Sequence, residues 1–273
     1  MNHSGSSVVR RQLGRRLRQQ REQAGRTIRS VQDAKLFSES KVARIEAGKV
    51  PVRVGDVWTL CRFYNADKEV TDALAALSDG TTGDGWWEDY ATAVPGWFGL
   101  YLGLEETCNV LSTYHPELVH GVLQTEAYAR AVIQTDGPAD EDVVIGRLKV
   151  RMDRKRVVLE QGNSSLHVVL GAGALSLTIG SPEVMREQVS YLRKLDSQPG
   201  IDVRVLPWSA GAHPGITGPF TLMDFHNPDD PSVVYLESML GARYLEQEHQ
   251  VETYRRTFTT LYQQAISIKE YTS

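Results

Sequence analysis

The sequence predicts an α+β chain in two parts: an all-α stretch of five short helices, then a mixed α/β stretch holding a βαβ unit and antiparallel strands. Three observations carry that reading. Apolar residues recur at helical spacing through residues 1–66. A run of Gly, Ser, Thr and Asp from Ser78 to Gly85 (SDGTTGDG) then interrupts the pattern. Beyond residue 161 the apolar period shortens to that of strands. The expected parts are residues 1–78, a linker at 79–85, and residues 86–273. At 273 residues and 41% hydrophobic composition, the chain has apolar mass enough for two cores.

In the first part, Val9, Leu13 and Leu17 recur every fourth residue and give the first helix one apolar stripe among arginines. Gly25 ends it. Thr27 suits the N-cap of a second helix, about Thr27–Lys35, with Ile28 and Val31 inward. Ser38 suits the N-cap of a third, with Val42 and Ile45 inward and its end at Gly48. Pro51 bars continuation. A fourth helix is expected from Val54 to Tyr64 and a fifth from Lys68 to Leu77.

After the linker, Trp86, Trp87, Tyr90, Trp97, Phe98 and Tyr101 announce a new apolar surface. Helical patterns cover Gly99–Asn109, Thr125–Thr135 and Ala139–Gln161. Leu166–Leu170 reads as a buried strand, Pro182–Leu195 as a helix and Ile201–Leu206 as a second strand, which makes a βαβ unit. Phe220–Phe225 and Val233–Glu237 read as antiparallel strands, and a last helix runs from Glu246 to about Ile268.

Charge divides as sharply as pattern. Residues 1–66 hold fourteen Lys/Arg and five Asp/Glu, a net of +9, whereas the remainder carries −13 of the chain's total of −4. A basic head on an acidic body points to nucleic-acid binding by the head. Cys61 and Cys108 stand apart in bland surroundings and support neither a disulfide framework nor a zinc site. No apolar run reaches the ~20 residues that span a bilayer, and the polar Met1–Ser7 stretch lacks a leader's apolar core. The expectation is a cytoplasmic protein without metal or cofactor.

Two short helices joined by a tight turn allow the second to enter a DNA major groove while the first braces the backbone. The string Ser38-Glu-Ser-Lys-Val-Ala-Arg-Ile-Glu-Ala-Gly48 divides its labour accordingly. Glu39, Ser40, Lys41 and Arg44 fall on the outer face, and Ser38 stands at the amide-rich helix start, where a phosphate can dock. Residues Leu13–Tyr64 resemble the Cro-type (XRE-family) helix-turn-helix domain. The resemblance implies that Ser38, Glu39, Ser40, Lys41 and Arg44 form the recognition helix, with Thr27 and Arg29 supporting it. It also implies a scaffold ion pair between Glu46 and Arg18. Arg15, Arg16, Arg53 and Arg62 are further phosphate-contact candidates. The chain departs from the family at Gln32 and Lys35, and at Leu36, where a turn glycine is usual. Leu36 is therefore expected to carry strain or to mark a rearranged turn.

The second part resembles DUF5753, a domain appended to helix-turn-helix proteins in actinomycetes. The matching stretches are Gly121–Arg130, Pro182–Gln188, Val205–His213, Gly218–Thr221 and Val234–Glu237. His120 stands where the family has proline, and Ala172 near a usual acid. Ser209, His213 and Asp224 have triad residue types without a nucleophile elbow. Gly171-Ala-Gly173 lacks the third glycine of a dinucleotide fingerprint, and the histidines show no metal spacing. Catalysis is not expected. Trp208, His213, Phe220 and Tyr235 are the expected lining of an effector or partner pocket around the Trp208–Gly215 loop. The expected function is a homodimeric transcriptional regulator on a pseudo-palindromic double-stranded operator, responsive to a small molecule or small partner protein. The alternative is the DNA-binding half of an antitoxin-like pair.

Overall fold

Leu13 and Leu17, four residues apart, share the inner side of helix α1 (Ser4–Gln23) and are fully buried. The structure, a computed structural model, describes residues 4–79, 96–137, 140–161, 165–225, 231–239 and 241–272. These form two compact units, residues 4–79 with 96–100, and those from 101 onward. The expected linker beyond Asp79, with Trp86, Trp87 and Tyr90, lies outside the described residues.

Local chemistry sets the boundaries in the first unit. Gly25 takes φ +64° and the chain leaves α1. The Thr27 hydroxyl accepts the Ser30 amide at 3.1 Å and caps α2 (Ile28–Asp33). The Ser38 hydroxyl accepts the Lys41 amide at 3.2 Å and caps α3 (Glu39–Glu46). Gly48, at φ +65°, turns the chain toward α4 (Val54–Tyr64), which Asn65 ends in the left-handed region before α5 (Lys68–Asp79). Val31, Val42, Ile45, Val57 and Leu60 close the core with α1. In the turn from α2 to α3 the positive φ (+58°) falls on Lys35 and not on Leu36. The turn is displaced by one residue, and Leu36 is relieved of the strain expected of it.

The same four-residue stripe that holds Leu13 and Leu17 reaches Arg21. Its Nε and Nη2 donate to the two Glu46 carboxylate oxygens at 2.7 and 2.9 Å, and its Nη1 donates to the Arg26 carbonyl at 2.9 Å. Both side chains are nearly buried, at 10% and 7% exposure. The expected Arg18–Glu46 pair is therefore corrected. Residue 18 is turned about 100° from the stripe per the helix pitch, and Arg18 is exposed and donates to Glu22 at 2.8 Å. Gly14 sits on the same contact. A Cβ there would lie 2.4 Å from the Ile45 carbonyl oxygen, so α1 and α3 meet backbone to backbone.

The second unit is a seven-stranded sheet in the order β6-β5-β4-β1-β2-β3-β7. Chain order runs through α6 (Gly96–Thr107), of which the residues from Tyr101 on belong to this unit, β1 (Val110–His115), α7 (Glu126–Ile133), α8 (Glu141–Arg156) and β2 (Ser165–Gly171). It continues through α9 (Gly173–Ser176), α10 (Pro182–Leu195), β3 (Ile201–Leu206), β4 (Phe220–Asp224) and β5 (Val233–Ser238). It closes with β6 (Gly241–Leu245), α11 (Glu248–Gln264) and β7 (Ile266–Ser267). β1, β2 and β3 are parallel, so β2–α10–β3 is the expected βαβ unit, and β4 and β5 pair antiparallel as expected. The central strand β1 is absent from the expectations because Ser112 and Thr113 interrupt its apolar run. Thr113 is nevertheless fully buried, satisfied by the Phe220 carbonyl at 3.1 Å and the Thr221 hydroxyl at 3.0 Å.

One sheet face presents Tyr114, Val169, Phe220, Leu222 and Val234 to Val251, Phe258 and Leu261 of α11. The other face carries Thr113, His115, Thr221 and Tyr235, by strand alternation and register. On that face Arg154 of α8 is buried against Glu105 of α6, donating through Nη2 at 2.7 Å and Nε at 2.5 Å. The Tyr101 hydroxyl donates to Glu105 at 2.9 Å and lies 3.1 Å from His120 Nε2. Gly121 admits the guanidinium, since a Cβ there would stand 2.8 Å from Arg154 Nη1. The adjoining segment is held from three sides. Gln124 binds the Val119 carbonyl and the Arg151 guanidinium, and fully buried Gln188 accepts the Thr125 amide while donating to the Leu123 carbonyl.

Two measurements follow. Arg21→Ala leaves a nearly buried carboxylate unpaired, so urea denaturation is expected to show a loss of about 3 kcal/mol. Arg18→Ala, which breaks only an exposed pair, is expected to cost below about 0.5 kcal/mol. An equal loss in the two variants overturns the assignment. In the second unit, burial and then the Arg154 charge push the His115 imidazole down to about 4. The folded state keeps it neutral while the unfolded chain takes a proton near the ordinary value of about 6.5. More protons are then bound unfolded than folded, so stability drains as pH falls from about 6.5 to about 4. Urea midpoints at stepped pH are expected to show a shallower decline in His115→Gln than in the wild type.

Candidate nucleic-acid interface

The outward side of α3 begins with what its own caps leave over. Ser40, Ala43, Arg44 and Ala47 recur at i, i+3, i+4 and i+7 and all are exposed, as is Glu39 in the first turn. Val42 and Ile45, on the opposite side, are fully buried. The Ser38 hydroxyl is engaged in its cap, where it accepts the Lys41 amide. Gln32 of α2 accepts the Glu39 amide through Oε1 at 3.1 Å, so the second helix caps the third. This gives Gln32, a departure from the family, a positioning role that pattern reading did not anticipate.

The structure separates two residues that the sequence treats alike. Arg44 projects from the exposed side of the helix. Lys41 is drawn inward: its ammonium donates to Asp56 of α4 at 2.9 Å and stands 4.0 Å from the centre of the Phe37 ring. Its charge is therefore shared with a carboxylate before any ligand arrives. The bridge also ties the start of α3 to the start of α4, where exposed Arg53 occupies the N-cap without a side-chain cap bond.

Thr27 and Arg29 stand at the start of α2, both exposed, and Thr27 is engaged as the N-cap. Along α1, burial and then the neighbouring Arg11 charge lower the Arg15 guanidinium. Gly48 brings α1 against the exit of α3, since a Cβ there would lie 2.6 Å from Arg11 Cα. The first unit thus offers a helix with an exposed face, a lysine paired to a carboxylate, one outward arginine and flanking cations. Such a surface suits phosphates at its margins and base edges at its centre.

The four residues expected to line a pocket in the second unit are not brought together. Phe220 packs into the core under α11 beside Tyr114 and Tyr254. Tyr235 is buried on the opposite sheet face, against Tyr101 and Tyr244. The alternation of a strand forbids one pocket from using both. Trp208 is 74% exposed, and the His213 ring stands edge-on to Tyr114 with centroids 5.8 Å apart. The triad residue types are also dispersed. Asp224 pairs with Val110 at the far end of β1 from Tyr114, and its carboxylate accepts from Arg255 at 2.7 and 3.0 Å. Gly171 and Gly173 serve packing, because a Cβ at either would lie 2.7 Å from the Pro116 carbonyl oxygen. Among the described residues no group of three or more His, Cys, Asp or Glu is placed to hold a metal ion, and no helix is long and apolar enough to cross a membrane.

Comparison with known proteins agrees with this division. Residues 12–74 match a helix-turn-helix domain family. Residues 98–272 match the domain of unknown function DUF5753. No curated protein and no solved structure matches the chain. With an N-terminal helix-turn-helix domain of the kind found in DNA-binding regulators, the chain belongs to the DUF5753 family.

Proposed function

We propose that this DNA-binding regulator is sequence-specific and acts as a homodimer on a two-fold-related pair of half-sites, with the acidic second unit supplying dimer contacts and a response to an effector or partner. The observation that carries the proposal is the exposed face of α3, held at fixed pitch by the Arg21–Glu46 pair and the Gly14 contact. A reading helix must present its side chains at a set depth in the groove, and a buried bidentate pair at its last turn supplies that rigidity.

Within this reading Glu39, Ser40 and Arg44 face base edges, while Ser38, Thr27, Arg29 and Arg53 lie toward the phosphates. Arg44 is the principal reader, since a guanidinium free to extend can grip guanine through two hydrogen bonds. Lys41 contributes mainly by orienting α3 on α4, because Asp56 already holds its ammonium. One small head makes few base contacts, and a dimer multiplies both affinity and discrimination. The second unit, at −7 over residues 101–273, is repelled by the DNA backbone.

The deciding experiment is selection of bound sequences from a randomised duplex library, followed by gel shifts on the selected site. Arg44→Ala is expected to lower affinity tenfold to a hundredfold, about 1–3 kcal/mol, with unchanged thermal stability. Lys41→Ala is expected to lose less affinity than Arg44→Ala and more stability. Affinity of the wild type should fall steeply with salt, as bound phosphates release their counterions. Absence of any selected sequence, or unaltered affinity in Arg44→Ala, overturns the proposal.

A further inference from the structure

Three loops of the second unit meet at one edge of its sheet. β1, β2 and β3 run parallel, with His115 paired to Leu170 and Gly171 to Leu206, so their carboxyl ends lie side by side. The chain after β1 (residues 116–119), after β2 (171–181) and after β3 (207–219) therefore leaves from the same edge. The third loop also crosses it, because it delivers Phe220 to pair with Tyr114 at the end of β1. Close contacts confirm the meeting. The Ala172 amide donates to the Leu206 carbonyl at 2.9 Å, and a Cβ on Gly173 would lie 2.7 Å from Pro116 and 3.6 Å from the Trp208 ring.

This edge is unusual in two respects. It carries four large apolar side chains in solvent: Leu118 (40% exposed), Leu177 (47%), Trp208 (74%) and Ile216 (77%). Large apolar side chains gathered in solvent on the loops of one sheet end suit an interaction site. It is also almost without charge. Its 28 residues include one ionic side chain, Glu117, where a chain that is 23% charged would place about six. Apolar residues have collected here, and charged ones are missing.

We propose that this edge is the surface through which two copies of the chain dimerise. The inference rests on the regulator reading above and names the interface that it requires. The argument for a second copy is electrostatic. Residues 101–273 hold 15 Lys/Arg and 22 Asp/Glu, a net of −7, so two copies of this unit meeting through its charged surface bring like charges together, and that opposes association. The neutral edge is exempt. Around a two-fold axis it meets itself, and the same apolar side chains serve both sides. Seven of its 28 residues (119, 171–175 and 215) are buried, and the 21 that reach solvent suit the role, since stable interfaces engage roughly 20–30 residues a side.

Sedimentation equilibrium of the full chain, without DNA, tests the proposal independently of any operator. The wild type is expected at dimer mass at micromolar concentration. The double variant Trp208→Glu, Ile216→Glu is expected at monomer mass, with dissociation raised at least about thirtyfold, the scale of a central interface anchor. Met239→Glu, a fully exposed apolar residue on the turn between β5 and β6, is the control and should remain dimeric. If the double variant loses its cooperative unfolding transition, Leu118→Lys with Leu177→Lys replaces it under the same expectation. A monomeric wild type, as a small-molecule or foreign-protein site at this edge would give, overturns the proposal. So does a folded double variant that stays dimeric. Gel shifts of the same variants are scored separately, so a failure to bind DNA leaves the mass measurement decisive.

Discussion

The bidentate pair between Arg21 and Glu46 is the constraint on which the first unit depends. With a third bond from Arg21 to the Arg26 carbonyl, it joins the end of α1 and the approach to α2 to the last turn of α3, 25 residues on. A buried ion pair adds little net stability over well-packed apolar residues, because desolvation offsets much of the attraction. What it supplies here is direction. The planar guanidinium accepts a carboxylate in one orientation, and α3 is held to that orientation in turn. Apolar contacts from Val42 and Ile45 would alone tolerate some sliding.

The second unit uses the same device with a different surrounding. Arg154 and Glu105 are buried under a sheet, with Tyr101 and His120 completing the set. His115 and His120 each keep a ring nitrogen without a hydrogen-bond partner among the described residues. Burial and neighbouring positive charge hold both imidazoles neutral. That neutrality makes the packing possible, since a second cation beside Arg154 would oppose the first. His120 thus adds a hydrogen-bonding group inside a core that already carries a full charge pair.

Much of this was legible in the sequence, and the failures have physical causes. Caps and stops were readable because they depend on one or two residues: Gly25, Thr27, Ser38 and Gly48 mark their boundaries by local chemistry. Ion pairs were less readable, because partner choice depends on helix phase. Arg21 lies four residues beyond Leu17, and following the apolar stripe one step further would have found it. β1 escaped notice because buried hydroxyls look solvent-facing until the neighbouring strand that satisfies them is known. The expected pocket failed for a similar reason. Phe220 and Tyr235 look equivalent along the chain, yet strand pairing sends them to opposite faces. On α3 the outward set was readable from periodicity, but the capture of Lys41 by Asp56 needs the third dimension.

The Gly14 contact has an evolutionary corollary. With no side chain between α1 and the carbonyls of Ile45 and Glu46, the two helices pack backbone to backbone. Under the proposed role, the tilt of the outward α3 face is therefore inherited from α1. Preference for one binding sequence over another can then drift through substitutions remote from the groove, while every contacting residue stays the same.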